Sequence, residues 1–300
     1  SWGLPFNLQM NSIQSVLLNF GTEEQRERWI PKLINADLLG CFAITEANTG
    51  SDVASMKSTA VEGEGGFVLN GTKMWISGVP VADLGIVYVY TDKAAKHRGM
   101  SAFIVDMHAP GVTQKSIDSK LGLFCAPTGE IIFEDVKVPK DCLVGQKGDG
   151  FKICMSMLDN TRLSSASRAV GVARACLEHS VRYANEREQF GQPIANFQMI
   201  QEQIAEMYVE EQAARLLVYR AACNRDLGQR NTIEVSCAKF YAAEVAVRAA
   251  NQAVKIFGSY GFSTEYPVER LYRDAKSYQI VEGTSNIQKM IIARSALGLK

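Results

Sequence analysis

The sequence predicts an α+β protein in which a β-rich segment lies between helical segments. Short runs of β-branched and aromatic residues, separated by turn signals, fill residues 38 to 140. Apolar residues recur at helical spacing before this stretch and after Gly148-Asp149-Gly150. With 300 residues, of which 47% are hydrophobic, the chain can bury a large core. We therefore expect helical residues 1–37, a β domain over residues 38–145 and a helical domain over residues 146–300.

The first part is predicted to form two short helices. Apolar residues within 8–20 follow helical spacing, and Gly21 ends the pattern. Thr22 and Gln25 then have the spacing of a capping box, in which each side chain accepts a hydrogen bond from the other residue's backbone N–H. We expect a helix from there to about Leu33.

The β domain is predicted from four short apolar runs and the turn signals around them. The runs cover residues 67–69, 85–90, 102–105 and 130–133. Turns are expected at Glu64-Gly65-Gly66, Asn70-Gly71 and Pro110-Gly111 because these residue types tolerate left-handed backbone or fix a bend.

The helical domain is predicted to be a bundle of long antiparallel helices. One helix starts after Gly150, a second ends near Leu227, and a third covers residues 232–257. Two shorter helices follow, over 268–278 and from Ser285 onward. Because short loops join the long helices, they must bury their apolar stripes against one another, which predicts a four-helix bundle.

Composition argues against several classes of partner. Lys and Arg together number 32, as do Asp and Glu, so no overall charge favours a nucleic acid or an anionic membrane. No apolar run reaches the roughly 20 residues that span a bilayer, and no charged leader precedes one. The seven cysteines are scattered without a CxxC pair, which favours a reduced compartment over a disulfide framework and gives no zinc-site spacing.

A carboxylate near the C-terminus is the main candidate for chemistry. Glu282 stands between two predicted helices, directly before a Gly and a Ser-x-x-Gln capping pattern at Ser285 and Gln288. A general base needs such a fixed position, and the apolar Ile280 and Val281 beside it would exclude water. Taken alone, Glu282 is equally explained as an acidic residue at a helix N-terminus.

Four separated blocks resemble the signatures of acyl-CoA dehydrogenases. They are residues 42–52 with FAITE and GSD, 70–77 with NGTKMWIS, 187–194 with REQFGQPI, and 264–288 with TEYPVER, RDAK and YQIVEGTSNIQ. This resemblance runs in order through essentially the whole chain. It implies the acyl-CoA dehydrogenase fold, with a middle β-barrel-like domain and a C-terminal four-helix bundle. Residues 1–37 would be the last part of the family's N-terminal helical domain, so further chain is expected upstream.

The resemblance implies FAD as cofactor. It assigns the isoalloxazine region to residues of the β domain, with the Trp75 indole over one ring face: Phe42, Ile44, Thr45, Trp75, Ile76 and Ser77. A second set matches positions that reach the FAD pyrophosphate and adenosine of a neighbouring subunit, where guanidinium suits phosphate: Arg187, Gln189, Phe190 and Ile194. Further contacts are expected from Thr284 and Asn286 at a helix N-terminus.

Each of these residues also has a simpler explanation. Trp75 could be a core aromatic, Arg187 a solvated cation, and Thr284 and Asn286 helix caps. Lys255 and Ser259 depart from the family's commoner glutamine and glycine, which weakens any FAD assignment there.

The substrate implied by the resemblance is an acyl-CoA thioester. Ser51, Asp159 and Arg162 match CoA-contacting elements, although Asp159 and Arg162 could equally be a surface ion pair. Val281 and Gly283, which flank Glu282, complete the predicted substrate site. Some members place the base near Thr161, where a threonine cannot serve, so the resemblance leaves Glu282 as the base.

In the implied reaction Glu282 removes the α-proton while the β-hydride passes to the flavin. The Glu282 backbone N–H and a flavin hydroxyl would stabilise the enolate charge. Electrons would leave to an electron-transferring flavoprotein. The family also implies a homotetramer in the bacterial cytoplasm or the mitochondrial matrix, with a role in aromatic or fatty acid degradation. An acyl-CoA oxidase and a catalytically silent assembly protein are the alternatives.

The acyl group is the least determined feature. The sequence is nearest the glutaryl-CoA dehydrogenase-like branch, whose dicarboxylic substrate is held by an Arg and a Ser. Those positions fall near Gly3 and Leu4, which offer no cation for a carboxylate. Val281 stands where decarboxylating members carry tyrosine. We therefore expect an apolar, cyclic or aryl-substituted acyl group, with glutaryl-CoA or a short-chain acyl-CoA as the alternative.

Overall fold

The computed structural model describes residues 9–299, which divide into two compact units. Of the described residues, unit 1 comprises 9–120 and 124–161, and unit 2 comprises 121–123 and 162–299. The predictions that involve Gly3 and Leu4 lie outside the described residues. Within 9–299, no helix combines the length and the apolar character needed to cross a membrane.

Unit 1 begins with two helices that end as the sequence predicts. A π-helical turn at Gln9–Gln14 leads into α1 (Ser15–Phe20), which stops at Gly21. Helix α2 (Glu23–Ile34) has the predicted capping box: the backbone N–H of Gln25 donates to Thr22 Oγ1 at 3.2 Å, and the N–H of Thr22 donates to Gln25 Oε1 at 3.1 Å. The capping prediction is confirmed.

The rest of unit 1 is an eight-stranded mixed sheet. The strands are β1 (Gly40–Ala43), β2 (Thr59–Gly63), β3 (Gly66–Ser77), β4 (Leu84–Tyr90), β5 (Met100–Asp106), β6 (Val112–Ser116), β7 (Thr128–Pro139) and β8 (Leu143–Val144). Their order in the sheet is β6-β7-β3-β2-β4-β5-β8, and β1 pairs in parallel with β4.

Strand β4 is buried on both faces, which explains why its sequence is a continuous apolar run. All seven of its residues are buried. Ile86 and Tyr88 pack in one hydrophobic cluster of unit 1, whereas Val87 and Val89 pack in another. A strand that is covered on both faces needs apolar residues at every position. The sheet therefore has a core on each side of its centre.

One predicted turn is wrong. The Asn70-Gly71 pair does not end a strand, because β3 continues through it with a register shift against β7 between Leu69 and Gly71. The amide of Asn70 donates to Asp135 Oδ1 and accepts from the Asp135 backbone N–H, both at 2.9 Å. A β-bulge on β7 thus uses the polar side chain that otherwise favours a turn. The predicted turns at Gly65 and Gly111 do join strands, both at positive φ.

Unit 2 contains the helical bundle. Helix α3 (Gly150–Glu186) enters the unit at Arg162 and is followed by a hairpin of β9 (Glu188–Gln189) and β10 (Gln192–Pro193). The remaining helices are α4 (Gln198–Asp226), α5 (Thr232–Phe257), α6 (Pro267–Ala275) and α7 (Ser285–Ala296).

Helix α5 lies at the centre of this bundle. Its buried face is rich in alanine, at Ala238, Ala242, Ala246, Ala249 and Ala253. Small side chains let neighbouring helices pack closely, and the hydrophobic cluster of unit 2 includes residues from α3, α4, α5 and α6. The predicted α+β class is confirmed, with a mixed sheet followed by long helices.

Candidate functional site

In unit 1, the strand β3 presents an aromatic side chain to solvent. The register of β3 against β7 shifts between Lys73 and Ile76, so that two residues of β3 stand opposite one of β7. Trp75 lies in this bulge with φ of 62°, and its side chain is 57% exposed. The backbone N–H of Met74 donates to the carbonyl of Thr45 at 2.9 Å, which ties the bulge to the end of β1. The bulge therefore accounts for the exposed indole.

A buried ion pair lies next to this bulge and joins two of the sequence blocks. Lys73 Nζ is 3.0 Å from Glu46 Oε1 and also donates to the carbonyl of Ile44 at 3.1 Å. The Lys73 side chain is fully buried. Glu46 accepts three more hydrogen bonds: from the N–H and the Oγ of Ser58 at 3.0 and 2.6 Å, and from the N–H of Lys57 at 2.6 Å.

Each charge of this pair favours the ionised form of the other. Burial lowers the pKa of Lys73 to about 8, against the attraction of Glu46. Burial acts to raise the pKa of Glu46, but the Lys73 ammonium and the donors of Ser58 and Lys57 outweigh it, so the pKa lies below its ordinary value. Near pH 7 the pair is therefore ionised. It holds the segment after β1 against β3.

The predicted flavin-contacting residues of unit 1 differ in exposure. Ile44 and Ile76 are buried in the hydrophobic clusters, so any contact from them would come from the main chain. Phe42, Thr45 and Ser77 are half-buried. Among the predicted substrate-contacting residues, Ser51 is exposed and Asp159 is half-buried.

In unit 2, Glu282 lies on a turn with unusual backbone conformation. Glu282 has φ of 58° and Gly283 has φ of 86°. A non-glycine residue in the left-handed region costs roughly 1 kcal/mol or more, so its surroundings must hold it there. Ile280 is more than half exposed, so the expected shielding of Glu282 by this residue is wrong, while Val281 is half-buried.

The helix after this turn is capped differently from the prediction. Thr284, and not Ser285, is the N-cap of α7, and its Oγ1 accepts from the N–H of Ile287 at 3.3 Å. The Gln288 side chain does not return to the N-cap N–H but donates to the carbonyl of Gly283 at 3.1 Å. Ser285 Oγ instead donates to Glu244 Oε1 at 2.7 Å. The predicted Ser285–Gln288 capping box is therefore wrong because tertiary partners take both side chains.

Two cationic side chains hold the carbonyls of the Glu282 turn. Lys239 Nζ donates to the carbonyl of Gly283 at 2.6 Å, and Arg162 Nε donates to the carbonyl of Glu282 at 3.3 Å. The amide of Gln288 bridges the same two carbonyls, at 3.1 and 3.4 Å. Arg162 is buried, so it supports this turn and is not the surface cation that its spacing allowed.

Glu244 fixes both ends of the segment around the turn. It accepts from Ser285 Oγ and from Gln279 Nε2, each at 2.7 Å. Burial lowers the pKa of Lys239 to about 8, and the Arg162 charge acts in the same direction, while Glu282 and Glu244 oppose it. The segment from Gln279 to Ser285 is thus held by two cations, an amide and a carboxylate.

The second predicted cofactor-binding block forms the hairpin of unit 2. Phe190 and Gly191 form its two-residue turn, with φ of 52° and 78°, as in a type I′ turn. The Phe190 side chain is 94% exposed. The Arg187 guanidinium lies 5.5 Å from the Tyr260 ring centroid.

The remaining predicted cofactor residues differ in their surroundings. Ile194 is buried in the bundle core, Gln189 and Asn286 are exposed, and Thr284 caps α7. Lys255, at a position where the sequence departs from the resembled pattern, donates to Gln252 Oε1 at 3.1 Å.

Sequence reasoning missed three side chains that hold these two regions. They are Lys73, Lys239 and Glu244. Lys239 and Glu244 lie on helix α5, where Lys239 is buried among alanines, and Lys73 is buried within strand β3. A charged residue at a core position of a predicted helix or strand is the signal that could have found them.

The geometry of unit 2 suits a fixed general base. A carboxylate on a turn of restrained backbone, held by donors to its carbonyls and followed by a capped helix, has a defined position. Unit 1, taken by itself, has an exposed aromatic side chain, Trp75, and a buried ion pair two residues away in β3. Neither arrangement by itself identifies the substrate.

Comparison with known proteins identifies the family. Residues 41–136 match the acyl-CoA dehydrogenase middle domain, and residues 148–297 match the acyl-CoA dehydrogenase C-terminal domain. The chain is 47% identical over 296 residues to a glutaryl-CoA dehydrogenase of Desulfococcus multivorans, which covers 98% of this chain and 76% of the relative.

Two further relatives carry different names. The CarC subunit of the caffeyl-CoA reductase-Etf complex of Acetobacterium woodii is 44% identical, over 92% of this chain and 73% of the relative. The solved structure of butyryl-CoA dehydrogenase from Megasphaera elsdenii is 40% identical with a TM-score of 0.95, covering 98% of this chain and 77% of that one. On the two domain matches and these identities, the chain belongs to the acyl-CoA dehydrogenase family of FAD-dependent enzymes.

Proposed function

We propose that the protein catalyses FAD-dependent α,β-dehydrogenation of an acyl-CoA thioester to the 2-enoyl-CoA, with Glu282 as the base. The observation that carries this proposal is the restrained turn of Glu282 and Gly283, whose carbonyls are bound by Lys239, Arg162 and Gln288. A base that removes a weakly acidic proton must be held in place before the reaction. Thr161, where some members carry their base, has no carboxylate.

The side chains that each unit presents fit FAD. Trp75 offers an exposed aromatic face, which suits a flat ring system. The first turn of α7, with Asn286 exposed and Thr284 as cap, offers backbone N–H groups of the kind that bind anionic or hydroxyl groups. We propose that these residues, together with Phe42, Thr45 and Ser77, contact the cofactor. Bound FAD supplies the acceptor for the β-hydride.

Glu282 performs the proton transfer in this proposal. Its carboxylate takes the α-proton, and its backbone N–H donates to the thioester carbonyl, where enolate charge develops. Gly283 leaves room for the Gln288 amide, since a Cβ there would lie 2.7 Å from Gln288 Nε2. Val281, Gly283, Arg162, Asp159 and Ser51 complete the proposed substrate site.

Anaerobic flavin bleaching tests this function. Mixing the FAD-loaded protein with acyl-CoAs should bleach the flavin absorbance, whereas Glu282→Gln should retain FAD and lose bleaching by at least about 10³-fold. Glu265→Gln, which removes an exposed carboxylate on another loop, is the matched control and should bleach normally. Full bleaching in Glu282→Gln would remove Glu282 from the role of base. A purified protein that cannot be loaded with FAD would favour the silent assembly protein.

For the acyl group, we propose an apolar, cyclic or aryl-substituted chain. Support comes from the half-buried, apolar Val281 beside the base, and from similarity to a caffeyl-CoA reductase subunit, whose named substrate carries an aryl acyl group. The relatives named for glutaryl-CoA and butyryl-CoA have similar identity and keep those two substrates as the alternatives. Because an unpaired carboxylate is costly to bury, glutaryl-CoA should show at least about tenfold lower kcat/KM than an aryl or cyclohexanecarbonyl thioester. Glutaryl-CoA as the best substrate of the panel would reject this proposal.

An electron-transferring flavoprotein is the proposed electron acceptor. Similarity to a subunit of an Etf complex supports it. Turnover should be much faster with this acceptor than in air, and the reverse result would make the protein an acyl-CoA oxidase.

We also propose a homotetramer in the bacterial cytoplasm or the mitochondrial matrix. Helix α4 exposes large apolar side chains, including Met199, Val209 and Leu216, and the hairpin exposes Phe190. Exposed apolar residues concentrated on one helix favour an interface between protein chains. All seven cysteines are free thiols, as a reducing compartment maintains them. Light scattering should give a mass of four chains, and a monomeric mass would contradict the proposal.

A further inference from the structure

The most unusual buried group of unit 2 is the ammonium of Lys239. The residue is 1% exposed and lies on the buried face of α5, where most of the other residues are apolar. Burying a lysine is unfavourable unless its charge and its donors are used. The hydrogen bond that the structure shows from Nζ goes to the carbonyl of Gly283 at 2.6 Å. Lys239 thus binds the backbone of the residue that follows Glu282.

We propose that Lys239 is a positioning residue for Glu282: by binding the Gly283 carbonyl, its ammonium holds the left-handed turn and thereby the direction of the carboxylate. The inference rests on the proposed function of Glu282 as base. It adds a residue that acts through the turn and not on the substrate.

The backbone of the turn shows why a holding group is needed. Two successive residues, Glu282 and Gly283, have positive φ. An L-residue stays in this region only where its surroundings determine it. Rotation of the Gly283 peptide would change the Glu282 main chain and swing the carboxylate away. At 2.6 Å, the Lys239 contact is shorter than the contacts of 3.1–3.4 Å that Arg162 and Gln288 make with the two carbonyls.

The charge of Lys239 matters as well as its hydrogen bond. The charged groups acting on it are Glu282 on the turn, Arg162 on α3 and Glu244 on α5. Glu282 and Glu244 favour the protonated form of Lys239 and so oppose the effect of its burial. A neutral amine would still donate to the carbonyl, but without charge the bond is weaker.

Alkaline pH provides a test that a purely structural lysine would not show. Burial lowers the pKa of Lys239 to about 8 from its ordinary 10.5. Between these values the unfolded chain binds more protons than the folded one, so deprotonation of Lys239 favours the folded state there. A fall of kcat above about pH 8 without unfolding would therefore be a local effect at the turn.

The experiment compares Lys239→Met and Lys239→Arg with the FAD-loaded wild type. Lys239→Met should lower the bleaching rate about 100-fold, with FAD content and acyl-CoA affinity within about threefold, because a misplaced base loses rate and not binding. In Lys239→Met the fall of kcat above about pH 8 should disappear. Lys239→Arg keeps a positive charge and should retain more activity than Lys239→Met. Its kcat should fall only at a higher pH than that of the wild type. Lys289→Met removes an exposed lysine over the Phe240 ring and is the matched control, with unchanged rate and pH profile.

A second readout does not depend on activity. Hydrogen–deuterium exchange of the segment 279–288 should be about tenfold faster in Lys239→Met, with helix α4 unchanged. Faster exchange in Lys239→Met, together with a wild type that never bleaches, would keep the positioning role and reject the proposed function. Unchanged exchange together with an unchanged pH profile would overturn the inference. If Lys239→Met does not fold, Lys239→Gln, which keeps an N–H donor without charge, enters the same comparison.

Discussion

Removal of the Lys73 ammonium from its buried pair with Glu46 should destabilise unit 1. At 3.0 Å and an effective dielectric constant of about 20, the two charges attract each other by about 5 kcal/mol before desolvation is counted. Loss of one partner from a buried pair costs about 3–5 kcal/mol because the other charge stays buried. Glu46 keeps its donors from Ser58 and Lys57, so we expect the lower end, about 3 kcal/mol, for Lys73→Met.

Thermal unfolding of the FAD-loaded protein measures this effect. About 2 °C per kcal/mol is typical of a chain of this size, so Tm should fall by about 6 °C. Lys147→Met is the matched control: Lys147 Nζ lies 2.7 Å from Glu62 Oε2, closer than the buried pair, but both side chains are about half exposed. Because solvent screens an exposed pair, the Tm of Lys147→Met should stay within about 1 °C of that of the wild type.

A second substitution separates charge from packing. Adding Glu46→Gln to Lys73→Met removes the uncompensated buried charge, so the double variant should regain about 2 °C. If Lys147→Met lost as much Tm as Lys73→Met, or if Glu46→Gln gave no recovery, burial would not determine the strength of this pair.

Three further substitutions test local features. Gly71→Ala should lower Tm by at least about 5 °C, because φ is 143° and a Cβ would lie 2.7 Å from the Ser58 Cα; a wild-type Tm would mean that the strand relaxes there. Thr22→Ala should cost about 1 kcal/mol through the lost cap of α2, seen as a fall of about 2 °C, and no fall would show that the cap contributes nothing. Gly283→Ala should reduce the bleaching rate at least about tenfold with FAD retained, because its φ is 86° and a Cβ would lie 2.7 Å from Gln288 Nε2; an unchanged rate would show that the turn tolerates a side chain.

The sequence predicts features that depend on neighbouring residues and misses those that depend on distant ones. The capping box of Thr22 and Gln25 spans three residues, so its spacing alone identifies it. The predicted turn at Asn70 failed because Asp135, 65 residues away, takes its amide. The predicted cap at Ser285 failed because Glu244, 41 residues away, takes its hydroxyl.

The candidate site shows the same limit. Glu282 and Trp75 were found because the blocks around them resemble a family. Lys239 was not found because nothing local distinguishes a lysine in a helix whose partner carbonyl lies 44 positions later. Exposure was equally unpredictable: Ile44 and Ile76 belong to the same blocks as Thr45 and Trp75 but are buried. Side-chain direction depends on bulges, and these appear only when the strands are paired.

The bulge at Met74 and Trp75 limits how β3 can change its length. A deletion within the bulge would restore regular pairing, with Ile76 still opposite Gly129, but it would remove the conformation that exposes the indole. A deletion elsewhere in β3 would shift the register by one residue and move side chains to the opposite face of the sheet. Single substitutions leave this count intact, whereas insertions and deletions do not. Strand β3 should therefore accept changes of residue type far more readily than changes of length. A library of single-residue deletions across Gly66–Ser77 should lose flavin retention at the bulge and lose thermal stability outside it.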